Sequence, residues 1–131
     1  MPADRLLGRL TGGRLVGLGL VPSLLLITTG RRSGKPRSTP LLGVPDRDAV
    51  IVVGSNWGGP RHPAWALNLL ADPAATVRRQ GASRPVRARL LAGPERDRAW
   101  QLALRQWPAY RVYAERAGRP LHVFRLERAV T

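Results

Sequence analysis

The chain has 131 residues, 44% of them hydrophobic, which suits one domain with a buried core and excludes global disorder. With 22 Lys and Arg against 8 Asp and Glu, the net charge is +14, and Lys35 is the only lysine. No cysteine is present, which excludes disulfide scaffolds, thiol nucleophiles and cysteine-ligated metals, and the 2 histidines have no partner at metal-ligand spacing.

Residues 1–21 read as an arm. Arg5, Arg9 and Arg14 precede an uncharged stretch, Leu15–Gly30, that imitates a signal peptide. Pro22 interrupts it, no small-x-small cleavage site is evident, and it falls short of the roughly 20 apolar residues that span a bilayer. Gly12, Gly13, Gly17 and Gly19 weaken a helix there, so the expected arm is irregular or rests on an anionic membrane surface. Residues 22–131 form the domain. Leu24–Thr29 is an expected strand, Gly30–Gly34 a turn, Arg37–Val44 a strand, Pro45–Asp48 a turn and Ala49–Gly54 a buried strand. Two successive hairpins imply antiparallel pairing. A glycine-rich loop follows at Ser55–Arg61, then a helix from Pro63 to Ala71 with Trp65, Asn68 and Leu69 on one face. Ala75–Arg79 is a short strand. Arg84–Leu91 alternates, with Val86, Ala88 and Leu90 on the core face and Arg87 and Arg89 in water. Helices over Gly93–Leu104 and Trp107–Ala117, separated by Pro108, precede a final strand, Leu121–Leu126. The pattern predicts an α+β fold, an antiparallel barrel of about six strands with helical excursions.

Three segments can carry chemistry. In Gly30-Arg31-Arg32-Ser33-Gly34-Lys35-Pro36-Arg37, four cations, two glycines and a hydroxyl fall within eight residues. Glycines let backbone N–H groups converge, and guanidinium forks grip phosphate or carboxylate. The segment reads equally as a solvated hairpin turn. Gly54–Pro63 follows a buried strand and opens a helix. Glycine lets a flat ring approach its backbone, and Ser55 and Asn56 can hydrogen-bond ring carbonyls. As an ordinary strand-to-helix loop, it would use His62 or Asn56 as a helix cap. Tyr110 and Tyr113, three apart, share a helix face, where they wall a pocket and supply a proton, or simply pack the core. No nucleophile elbow or spaced carboxylate pair stands out, which suggests that a bound cofactor supplies the chemistry.

The string Leu26-Ile-Thr-Thr-Gly-Arg-Arg-Ser-Gly-Lys-Pro-Arg-Ser-Thr-Pro-Leu41 resembles the signature of the deazaflavin-dependent nitroreductase family. Val53-Gly-Ser-Asn-Trp-Gly-Gly-Pro-Arg-His-Pro-Ala-Trp-Ala-Leu-Asn-Leu69 and Asp72-Pro-Ala-Ala-Thr-Val77 are similar to its later motifs, in the same order and spacing. The resemblance implies a split β-barrel of the FMN-binding type that binds coenzyme F420, with FMN as the alternative. It implies that Arg31, Arg32, Ser33, Gly34, Lys35 and Arg37 hold the cofactor's phosphate and acidic tail. Thr39, Pro40 and Leu41 would line the next part of the groove, and Ser55, Asn56, Trp65 and Asn68 would surround the ring. Tyr110 and Tyr113 would face the acceptor, with Tyr113 the first candidate proton donor and Ser55 the second. The implied reaction passes a hydride from reduced deazaflavin to an electron-poor acceptor, a quinone or nitro compound. Arg32 stands where relatives often carry lysine. Arg116 stands where some carry a further tyrosine, so acceptor preference is expected to differ. The alternatives are an FMN-binding oxidoreductase or flavin carrier and, less favoured, a basic nucleic-acid-binding module, for which no stacking strand is evident. The expected location is cytoplasmic, or peripheral at the inner face of the plasma membrane through the arm. A homodimer is compatible with the sequence.

Overall fold

Each strand of the domain is short and carries β-branched or leucine residues toward a neighbour, so the chain folds by adding antiparallel strands and inserting helices at the ends. The computed structural model describes residues 23–129, and the expectations for the arm at 1–21 lie outside that range. The elements in order are β1 (Ser23–Thr29), β2 (Pro36–Leu42), β3 (Val44–Asp46), β4 (Ala49–Val53), a 3-10 turn (Asn56–Gly58), α1 (Ala64–Ala71), β5 (Ala74–Arg79), β6 (Ala82–Leu90), α2 (Gly93–Gln106), α3 (Ala109–Ala117) and β7 (Val123–Arg128).

The strands form one 7-stranded sheet in the order β2-β1-β5-β6-β7-β4-β3, with antiparallel pairs throughout. Only Gly43 separates β2 from β3, yet these strands lie at opposite edges of the sheet. The sheet therefore curls until its edges meet, which makes the split barrel. Glycine is required at that seam, because a Cβ at residue 43 would stand 2.7 Å from Leu24 and 2.8 Å from Val50.

This seam corrects the sequence reading. The expected single strand Arg37–Val44 breaks at Gly43, Pro45 and Asp46 belong to β3, and the turn shrinks to Arg47 and Asp48, with Arg47 at φ 60°. The sheet gains a seventh strand over the expected six. Leu90, expected on the core face, is instead 46% exposed; it is the last residue of β6. The last strand starts at Val123, two residues later than read.

β4 shows how the core divides. All of Ala49–Val53 is buried, and successive side chains point to opposite faces. Val50 and Val52 enter the barrel interior with Leu26, Trp65, Leu69 and Phe124. Ile51 and Val53 face outward under Ala99, Ala103, Leu104 and Tyr110 of the two later helices. Arg98 of α2 grips the buried Asp46 carboxylate through both terminal nitrogens, at 3.0 and 3.1 Å, which fastens α2 to β3. No helix among the described residues is long and apolar enough to cross a membrane.

Strand register places the loops. The end of β1, the start of β5, the end of β6, the start of β7 and the end of β4 lie together. The Gly30–Lys35 and Gly54–Pro63 segments thus leave the same end of the barrel. The opposite end holds a cavity of about 330 Å³ beside the turns at Arg47 and Gln80.

Candidate functional site

The β1–β2 loop is closed by its own atoms. The Gly30 N–H donates to the Lys35 carbonyl and the Gly34 N–H to the Gly30 carbonyl, both at 2.8 Å. Gly34 sits at φ 72°, and a Cβ on Gly30 would lie 2.7 Å from Ser33 Oγ. Ser33 Oγ accepts from the Lys35 N–H at 3.1 Å and from the Arg37 guanidinium at 3.4 Å. Its own proton stays available to donate outward. Arg31, Arg32, Lys35 and Arg37 are exposed, and among the described residues none of them pairs with a carboxylate. The result is a preformed, uncompensated cationic loop.

Asn68 of α1 anchors that loop. Its side-chain amide donates to Thr28 Oγ1 at 3.0 Å, and its oxygen accepts the Arg31 backbone N–H at 3.1 Å. Asn68 and Thr28 are buried, so both polar groups would be orphaned without this exchange. Trp65, one turn earlier, is buried against Phe124 with ring centroids 6.0 Å apart. The two α1 residues expected around a ring are therefore both buried. Thr39 and Leu41 of β2 are half-buried and Pro40 is exposed. Pro40 is tolerated because β2 is an edge strand.

The second loop is shaped by distant residues. Asn56 and Trp57 take left-handed backbone angles, φ 46° and 55°, which cost roughly 1–3 kcal/mol each for non-glycine residues. Gly58, at φ 82°, packs so closely on α3 that a Cβ would lie 3.1 Å from Tyr113 Cα and 3.0 Å from Arg116. Asn56 donates its amide to the Arg61 carbonyl at 3.0 Å. Ser55 is half-buried, and its hydroxyl makes no hydrogen bond to the described residues. Trp57 is 66% exposed and meets the Tyr113 ring edge-on at 5.7 Å.

The two tyrosines part company. Tyr110 is buried in the outer core between Trp100 and Tyr113, at 6.3 and 6.2 Å, and burial pushes its phenol well above the ordinary value. Tyr113 is half-buried at the rim, beside Trp57. His62 stacks on His122 at 4.1 Å, and burial holds both imidazoles below the usual histidine range. Neither His62 nor Asn56 caps α1: Pro63 is its N-cap, and no side chain closes it. Sequence reasoning missed Trp57 and Arg119. Trp57 carried only the signal of an aromatic in a glycine-rich loop. Arg119, which reaches the second loop from beyond α3, carried none, being one arginine among many. No group of three metal-ligating side chains occurs among the described residues.

Comparison with known proteins adds to this geometry. A family model described as F420H2-dependent quinone reductase matches residues 4–128. An F420H2-dependent quinone reductase of Mycobacterium tuberculosis is 37% identical over 116 residues, covering 84% of this chain and 76% of the relative. The solved structure of an F420-H2 dependent reductase, FDR-A, superposes with a TM-score of 0.75 at 37% identity, over 81% of this chain and 94% of that one. A second structure, a domain-swapped dimer, matches with a TM-score of 0.75 at 33% identity, over 97% and 100%.

Proposed function

Because the chain belongs to the F420H2-dependent quinone reductase family, we propose that its two neighbouring loops divide the family's reaction between them, one gripping the cofactor and the other shaping the reacting end. The activity is quinone reduction with coenzyme F420, which supplies a hydride when bound in its reduced form.

Arg31, Arg32, Ser33, Gly34, Lys35 and Arg37 hold the phosphate and acidic tail. The donor set fits such a group: four cations without carboxylate partners among the described residues, a hydroxyl free to donate, and a loop already closed by its own hydrogen bonds. That uncompensated, preformed loop is the observation that carries the reading. Thr39, Pro40 and Leu41 continue the groove along the β2 edge. Ser55 and Asn56 present polar atoms to the ring, while Trp65 and Asn68 support the loops from below.

Reducing a quinone to a quinol takes one hydride and one proton. Tyr113 provides that proton from its phenol oxygen at the rim, and solvent restores it. Tyr110 packs behind Tyr113 and fixes its ring. The Ser55 hydroxyl is the second donor. Arg116 replaces the tyrosine of some relatives, so nitro compounds are expected to be poorer acceptors than quinones. Turnover of menadione with reduced F420 and reduced FMN side by side tests the assignment. Turnover with F420 supports it; turnover with FMN alone would overturn it.

A further inference from the structure

The guanidinium of Arg119 lies inside the curl of the Gly54–Arg61 loop. Gly118, at φ 63°, reverses the chain after α3 and aims Arg119 there. Nε donates to the Gly59 carbonyl at 3.2 Å, and Nη1 to the Gly54 carbonyl at 3.3 Å. Nη2 reaches the carbonyls of Ser55 at 3.3 Å, Gly59 at 3.0 Å and Arg61 at 2.8 Å. Nη1 also approaches His62 Nδ1 at 3.0 Å. One side chain thus gathers four carbonyl oxygens and an imidazole nitrogen, and among the described residues it has no carboxylate partner. Only a planar fork with five N–H donors can serve so many acceptors at once.

The loop needs such a hold. Asn56 and Trp57, consecutive and both left-handed, persist only where surrounding contacts over-determine them. The loop's own hydrogen bonds are few: Gly58 N–H to Ser55 at 2.9 Å, Gly59 N–H to Asn56 at 2.8 Å, and the Asn56 amide to Arg61 at 3.0 Å. The acceptors that Arg119 takes are the carbonyls on either side of these turns.

We infer that Arg119 is a positioning residue for hydride transfer, its guanidinium serving as the template around which the loop bearing Ser55, Asn56 and Trp57 is wound. This rests on the assignment of that loop to the reacting end of the cofactor. His62 belongs to the same device. Because Arg119 can only donate, His62 Nδ1 must accept, which requires the neutral ring. Among the described residues, the groups facing that imidazole are Arg119 and the stacked His122, itself near Arg96, with no carboxylate among them.

Amide hydrogen exchange of the full chain without cofactor, joined to menadione turnover with reduced F420, tests the inference in Arg119→Gln and Arg119→Lys. In Arg119→Gln, exchange at Gly58 and Gly59 should quicken at least about tenfold while β4 and β7 amides stay protected. The kcat should fall about 10- to 100-fold with KM for F420 within about threefold, since a misplaced loop harms orientation more than tail binding. Arg119→Lys keeps the charge but lacks the fork, and should show the same fast exchange at Gly58 and Gly59. Wild-type exchange at those amides, or wild-type kcat, in either folded variant overturns the proposal. A fall in kcat matched by an equal loss of F420 affinity also overturns it. If Arg119→Gln fails to fold, Arg119→Lys decides by the same readouts. Arg31→Ala serves as the comparator: unchanged F420 binding there would sink the cofactor assignment, while the exchange data still judge Arg119 alone.

Discussion

The two loops that leave the same end of the barrel are built in opposite ways. Gly30–Lys35 is closed by hydrogen bonds between residues at most five apart, and among the described residues Asn68 is its one hydrogen-bond partner outside the β1–β2 hairpin. Gly54–Arg61 is held from a distance, by Arg119, Arg116 and Tyr113, which arrive from α3 and the turn beyond it. On the proposed assignment, the first loop presents charge, and small positional errors matter little to a flexible guanidinium reaching for a phosphate. The second would hold a reacting geometry, which fits a strained backbone gripped from outside.

The largest effect that sharpens this comparison should come from the rim of the second loop. Tyr113→Phe is expected to lower menadione turnover about 10²- to 10⁴-fold, as loss of a proton donor does, with F420 binding kept. Tyr110→Phe, three residues away in the core, should change turnover only a few-fold; steady-state kinetics of the pair separates donor from packing. Next come the charges of the first loop. Arg31→Ala or Arg37→Ala should each weaken F420 binding by about 1.5–3 kcal/mol, or roughly tenfold to hundredfold, read by fluorescence titration, with kcat at saturation little changed.

A smaller effect is expected beneath the first loop. Asn68→Ala leaves the Arg31 N–H and the buried Thr28 hydroxyl without partners and should cost about 1–3 kcal/mol of stability by chemical denaturation. The smallest is a pH effect on the second loop. Burial lowers the folded-state pKa of His62 and His122 below the usual 6.5. Their contribution to stability is therefore complete above about pH 6.5 and is lost as the pH falls toward those folded values. Thermal melts should drop between pH 7.5 and 5, and His62→Gln should flatten that drop.

The same division decided what could be read from sequence. Strand alternation, the turn glycines and the cationic cluster are local patterns, and β1, the first loop and the shared face of Trp65, Asn68 and Leu69 follow from them. The break at Gly43 was not legible, because nothing within its neighbours says that the sheet's two edges meet there. Tyr110 and Tyr113 share a helix face, yet one is core and the other rim. Spacing gives the face and not the depth. Arg119 lies 58 residues from the Arg61 carbonyl it binds, beyond the reach of any local pattern.

The central claim is that the arginine hairpin clasps an anionic redox cofactor. Titrating F420 into the protein and into the Arg31→Ala/Arg37→Ala double variant at fixed ionic strength tests it directly. Micromolar binding to the first is expected, with a loss of a hundredfold or more, the product of two tenfold effects, in the second. Equal affinity in both would contradict it.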